Sequence, residues 1–326
     1  MEELPCTLVL EIGGSNGVVA DHLNFLQKHL RLVTMEEFLG NKTHFSRKIS
    51  SVFSWGGKLH VDRELLQSLP NLKVIAVSGA GVDHLDLKLI AAFGVKVTNS
   101  PQEVCSATAD LAITLLLASA RDLLPGIEVA VSPHTEHFCV NWMSDDVNGA
   151  TAGIVGMGRI GYKIAQRARA FEMKILYHNR TQRKPEEEES VEAIFCENLE
   201  ELLRQSDYVI LAVTLTSETV NMIGKKEFEL MKPTATLINI SRGPVVDQDA
   251  LVEALQSGSI KAAALDVTHP EPLPRDHPLL KMKNVILTPH IGSATHQCRR
   301  KMMMKMVENI KAVIYGLPIP NEVIPN

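Results

Sequence analysis

Short apolar runs alternate along the chain with stretches whose apolar positions recur at helical spacing. The first runs predict strands at Leu8–Ile12, Ile49–Trp55, Leu72–Ser78 and Val95–Thr98, with helices Val61–Leu69 and Leu85–Phe93 between the last three. Ser100-Pro101-Gln102-Glu103 then predicts a helix start: serine as cap, proline at the first helical position, and glutamate returning to the cap's N–H. The helix that follows, to about Ala120, carries Leu111, Ile113, Leu115, Leu116 and Leu117 and is apolar nearly all round. That pattern predicts burial between domains or subunits. Residues 125–150, with Pro133, His134, His137, Trp142 and Gly149, keep no period and predict an arm or irregular connection.

A second series predicts strands Ala152–Val155, Met173–Tyr177, Tyr208–Val213, Thr236–Ile240, Ala262–Asp266 and Val285–Thr288. Helices fit at Ile160–Phe171, Leu199–Gln205, Lys225–Met231 and Gln248–Gln256, and a last one at Ala294–Tyr315; the acidic run Glu186–Glu189 predicts a solvated surface loop. Strand and helix in strict alternation predict an α/β fold with parallel sheets covered on both faces, and the second series has the rhythm of a doubly wound sheet.

The 326 residues exceed one ordinary core and suit two α/β domains. A composition of 45% apolar and 22% charged residues suits a soluble globular protein, and a net charge of −5 argues against a nucleic-acid partner. Cys6, Cys105, Cys139, Cys196 and Cys298 are scattered without a CxxC pair or ligand spacing, so reduced thiols are expected rather than a disulfide or metal framework. Glu2 and Glu3 precede the first apolar run, the opposite of a secretory signal, and no segment reaches the ~20 apolar residues of a membrane span. The expected location is the cytoplasm, with no membrane partner.

Gly156-Met157-Gly158-Arg159-Ile160-Gly161 follows an apolar strand and opens an amphipathic helix. In that context GxGxxG predicts a dinucleotide grip. Gly156 makes the tight turn, Gly158 lets the backbone approach a pyrophosphate, and Gly161 lets helix and strand pack closely. An NAD-preferring site places a carboxylate ~20 residues further on. Here Asn179, Arg180, Thr181 and Arg183 stand instead. A guanidinium and a hydroxyl can hydrogen-bond a 2′-phosphate that a carboxylate would repel, so NADP(H) is expected over NAD(H).

Three later segments put polar residues just past predicted strands: Asn239-Ile240-Ser241-Arg242-Gly243, Asp266 with Pro270-Glu271-Pro272, and Pro289-His290-Ile291-Gly292-Ser293. Reduction of a 2-oxo acid needs a cation for the carboxylate and a proton donor for the carbonyl oxygen, and arginine and histidine suit those tasks. With GMGRIG, GAGVDHLD at 79–86 and TADLA at 108–112, these segments resemble the D-isomer-specific 2-hydroxyacid dehydrogenase family, nearest its glyoxylate/hydroxypyruvate reductase branch.

The resemblance implies Arg242 as the carboxylate clamp, His290 as acid–base group and Glu271 as its partner. It places Ala80 and Gly81 in a substrate loop, and Trp55 where it can shape substrate choice. Thr108, Val213, Thr219, Ile240, Asp266 and Ser293 are expected to join Arg159 and Ile160 around the cofactor. It further implies a discontinuous, flavodoxin-like substrate domain (1–103 plus 295–326), an NAD(P)-binding domain (104–294), hinge closure over a small 2-oxo acid, and a homodimer built on helix 106–120 and arm 125–148. Relatives carry aromatic residues near Trp142 that reach a partner's site, but length and neighbours differ here, and a packing role fits as well. A redox-sensing corepressor on the same fold, or a reductase of a larger sugar acid such as 2-ketogluconate, keeps the same three residues and stays open.

Overall fold

A computed structural model describes residues 4–13, 18, 22–138 and 140–325; Cys139 lies outside them. In chain order the strands are β1 (Cys6–Val9), β2 (Arg31–Thr34), β3 (Ser51–Ser54), β4 (Val74–Val77), β5 (Lys96–Thr98), β6 (Thr151–Val155), β7 (Lys174–His178), β8 (Ala193–Phe195), β9 (Tyr208–Leu211), β10 (Thr236–Asn239), β11 (Ala262–Leu265), β12 (Val285–Leu287) and β13 (Glu322–Val323). The chain forms two compact units, Met1–Val104 with Ala294–Asn326, and Cys105–Ser293.

In the first unit the sheet runs β13-β5-β4-β3-β1-β2, parallel except for β13, which pairs antiparallel with β5. The order 2-1-3-4-5 within it is flavodoxin-like, and its switch point lies between β1 and β3. One face packs Phe38, Ile49, Val52, Ile75 and Ile90; the other packs Val9, Leu26, Phe53 and Val74 against Met303, Met306 and Ile310 of helix His296–Ile314. That helix starts at Thr295, whose side chain accepts from Cys298 N–H at 3.1 Å.

The second sheet runs β12-β11-β10-β9-β6-β7-β8, all parallel, with its switch point between β9 and β6. Helix Cys105–Ala120 buries Ala109, Ala112, Ile113, Leu115 and Leu116 in this unit's own core, beside helix Arg159–Ala170. Its nearly all-round apolarity is thus largely used within the unit. No helix among the described residues is long and apolar enough to cross a membrane.

Several local expectations are corrected. The helix begins at Cys105, not after Ser100. Ser100 N–H is already bonded to Gly79 O at 2.8 Å, prolonging the extended chain past β5, and its hydroxyl has no bonding partner among the described residues. Part of the expected arm is helix Leu123–Val131; Pro125 falls in its first turn, where a missing N–H costs nothing. The acidic run is helix Pro185–Val191, with proline at its start and Glu186–Glu188 in the first turn, complementing the helix dipole. β2, β8 and β13 lie at sheet edges, where one-sided pairing and mixed exposure blur the apolar signal.

Candidate active site

The glycine turn stands at the C-terminal end of β6. Gly156 adopts φ +98°, and a Cβ there would fall 2.8 Å from the carbonyl of Ala212. A Cβ on Gly161 would fall 2.1 Å from Gly156 O, so a side chain at 161 would force the turn apart. Gly158 differs: a Cβ would meet nothing within 4 Å. It is the N-cap of helix Arg159–Ala170 and offers no side-chain cap, so the first N–H groups of that helix are available to an anion. The turn therefore fits a dinucleotide's pyrophosphate.

At the end of β7, Asn179 donates to Thr181 O at 3.0 Å. The Arg180 side chain is 89% exposed and only 3.7 Å from Glu218 at its nearest. Arg183 instead folds back on the glycine turn, donating to Met157 O at 2.6 Å and to Glu187 at 2.8 Å. Val213 lies against Gly156, and Ile240 is buried in the core beneath. Thr219 organises the loop after β9, accepting from Thr216 N–H and donating to Thr214 O.

Arg242, Glu271 and His290 come from the C-terminal ends of β10, β11 and β12. After β10, Asn239 Oδ1 accepts from both N–H and hydroxyl of Ser241, while its amide donates to Arg242 O at 2.9 Å, fixing the turn that presents Arg242. A Cβ on Gly243 would fall 2.1 Å from Thr268 O; only glycine lets the 268–271 segment close on this turn. Glu271 then accepts from Thr268 N–H at 3.1 Å and makes a 3.0 Å contact with His290 Nδ1. Burial pushes the Glu271 carboxyl upward. The His290 hydrogen bond and charge, the Thr268 N–H and the Arg242 charge together outweigh it and hold the group below the usual carboxylate range.

His290 itself has φ +54°, a left-handed backbone that costs a non-glycine residue roughly 1–2 kcal/mol. The surroundings hold it there. His290 N–H contacts the carbonyls of Asp266 and Thr288 at 2.9 and 3.0 Å. Asp266, 2% exposed, accepts from Thr288 Oγ1, Ile291 N–H and Gly292 N–H at 2.7–2.9 Å. Sequence reading placed Asp266 near the cofactor; its tether on the histidine loop went unseen. Thr108 lies beside the same loop, against Gly292, next to the partly exposed Ser293.

Ala80, Gly81 and Trp55 belong to the first unit, and Trp142 to the second. The loop of Ala80 and Gly81 is anchored by Asn99, whose amide donates to Ala80 O at 2.8 Å. Gly56 N–H donates to Ser78 Oγ at 2.7 Å, holding the segment after Trp55. The Trp55 ring stacks on Phe53, and the Arg299 guanidinium lies 5.4 Å from the Trp55 ring centre. Burial lowers the Arg299 pKa, marking a cation drawn out of water. Arg299 was not singled out from the sequence, because in HQCRRKMMM it reads as one more charge on a helix face. Trp142, 41% exposed, lies over Gly126 of helix Leu123–Val131.

Comparison with known proteins follows the same lines. Residues 113–292 match the family model of the D-isomer specific 2-hydroxyacid dehydrogenase NAD binding domain. The chain is 46% identical over 266 residues to a glyoxylate reductase of Thermococcus litoralis, covering 80% of each. It is 42% identical over 265 residues to the glyoxylate reductase/hydroxypyruvate reductase of Homo sapiens, covering 81% of this chain and 80% of that one. A solved NADPH-dependent glyoxylate/hydroxypyruvate reductase from Sinorhizobium meliloti, in complex with NADP and malonate, superposes with a TM-score of 0.84 at 30% identity, over 98% of this chain and 97% of that one. The chain is a nicotinamide-dependent oxidoreductase and belongs to the D-isomer-specific 2-hydroxyacid dehydrogenase family, in its glyoxylate reductase branch.

Proposed function

We propose that this chain is an NADPH-preferring reductase of small 2-oxo acids, glyoxylate and hydroxypyruvate foremost, giving D-2-hydroxy acids. The observation that carries this reading is the His290–Glu271 contact, built on a tethered, left-handed histidine backbone with the Arg242 charge close enough to act on Glu271. Arg242 holds the substrate carboxylate with parallel N–H bonds and draws electron density from the adjacent carbonyl. The nicotinamide, when bound, supplies the hydride to C2. His290 gives its Nε2 proton to the carbonyl oxygen as that oxygen takes on charge. Glu271 accepts from Nδ1–H, which sets the ring orientation so that Nε2 faces the carbonyl oxygen.

NADPH preference rests on the end of β7, where no carboxylate stands between His178 and Thr181 and the Arg180 guanidinium is largely exposed. The NADPH-dependent relative from Sinorhizobium meliloti supports it. A homodimer is supported by the exposed apolar side chains of Leu123, Ile127, Val131, Phe138, Val140 and Met143 along one segment of the chain. Cys6, Cys105, Cys196 and Cys298 are buried and scattered along the sequence without a CxxC pair, which suits a reducing compartment such as the cytoplasm.

The test is a panel of 2-oxo acids, from glyoxylate to 2-ketogluconate, assayed with NADPH and NADH for kcat and KM. Highest kcat/KM for glyoxylate or hydroxypyruvate with NADPH is expected. A best rate with 2-ketogluconate, equal use of NADH, or no oxo-acid-dependent NADPH oxidation would each reject the corresponding part. Sedimentation velocity at micromolar concentration should give twice the chain mass.

A further inference from the structure

Arg183 has more partners in the structure than a ligand-facing cation needs. Its Nη1 donates to Met157 O at 2.6 Å and its Nη2 to Glu187 Oε1 at 2.8 Å. Its guanidinium lies 4.8 Å from the centre of the Tyr162 ring. Its backbone N–H donates to the Tyr177 hydroxyl at 2.9 Å, and that hydroxyl donates to Glu188 at 2.5 Å. The side chain is 22% exposed, and Nε is buried with no acceptor among the described residues. One guanidinium thus joins the glycine turn, the helix Arg159–Ala170 and the helix Pro185–Val191.

The bond to Met157 O has a consequence fixed by covalent geometry. A trans peptide is planar, with its C=O and N–H on opposite sides. Met157 C=O and Gly158 N–H belong to the same peptide. Holding the oxygen against Arg183 therefore aims the Gly158 N–H the other way, on the side of the turn away from Arg183. Gly158 caps a helix whose first N–H groups lack a side-chain acceptor, and a Cβ there would meet only open space. From this we infer that Arg183 is a positioning residue for pyrophosphate binding: it orients the Gly158 N–H and acts alike on NADPH and NADH. The 2′-phosphate is left to Asn179, Arg180 and Thr181. Glu187 neutralises the Arg183 charge, which fits a brace better than a phosphate clamp. The inference rests on the dinucleotide reading of the turn and is independent of the NADPH preference.

Fluorescence titration of the purified protein with NADPH and with NADH tests it. Arg183→Gln should raise Kd for both cofactors by the same factor, about tenfold for one lost charge-assisted hydrogen bond. Arg183→Lys, which keeps a donor for Met157 O, should recover part of the loss for both. A rise confined to NADPH would overturn the inference by making Arg183 a 2′-phosphate ligand. An unchanged Kd for both would overturn it by showing that the turn needs no brace. If Arg183→Gln does not fold, Tyr162→Leu removes the ring beneath the guanidinium and must give the same joint rise, with the same two outcomes against it. Failure of the unaltered protein to bind either cofactor would instead reject the dinucleotide reading.

Discussion

Replacing Glu271 by glutamine tests the proposed proton donor with little change of shape. The amide oxygen can still accept from His290 Nδ1–H, so ring orientation is kept while the charge is removed. The two groups are 3.0 Å apart, and their side chains are 47% and 34% exposed. Such exposure calls for an effective dielectric nearer water than protein. With values of about 40–80, Coulomb's law at that distance gives about 1.4–2.8 kcal/mol for the protonated imidazole. Lost from the state that donates the proton, this corresponds to roughly a 10- to 100-fold fall in kcat. KM for the oxo acid should stay level or fall, because Glu271 also opposes the Arg242 charge that attracts the substrate carboxylate. The assay is steady-state reduction of glyoxylate and hydroxypyruvate with saturating NADPH at neutral pH. A kcat within twofold of the unaltered protein would refute the proton-donor pairing.

Glu271 also sets an acid limit. Its carboxyl lies below the ordinary value of 4.5, so the pair's stabilisation is present above that value and is lost as pH falls through the depressed one. Tm should therefore decline more steeply between about pH 5 and 3 in the unaltered protein than in Glu271→Gln, and parallel curves would contradict the pairing. Asn179→Asp should cut the NADPH-to-NADH ratio of kcat/KM by about tenfold or more, through repulsion of the 2′-phosphate; an unchanged ratio in the same steady-state assay would place cofactor choice elsewhere. Asp266→Asn turns an acceptor toward a donor at the Ile291 or Gly292 N–H, costing about 2 kcal/mol and lowering Tm by roughly 4–8 °C, read by calorimetry. Kinetics should show kcat falling as well, since the loop that carries His290 loosens; a stable variant with full activity would remove Asp266 from that duty.

What was legible in the sequence follows from how locally each feature is encoded. The strands β3, β4, β6, β7, β9, β10 and β11 are central, so their apolar runs are long enough to read, and the GxGxxG turn carries its signature in six adjacent residues. Arg242, Glu271 and His290 could be proposed from the sequence because each follows a strand whose end the open sheet makes a ligand position. The acidic helix at Pro185–Val191 was misread since charge alone does not separate a solvated loop from a helix whose first turn favours acids. Asp266 and Arg183 were read from their types, one as a carboxylate near the nicotinamide and one as a cation near a phosphate. Their bonds depend on partners 22–26 residues away, to Thr288 through Gly292 and to Met157. No local pattern announces such a bond. The left-handed histidine makes the same point from the other side. Nothing in Pro289-His290-Ile291 requires φ +54°; the conformation is imposed by Asp266, whose carbonyl and carboxylate together hold residues 288–292. A strained residue survives where its surroundings over-determine it, and here the surroundings aim an imidazole already paired with a carboxylate.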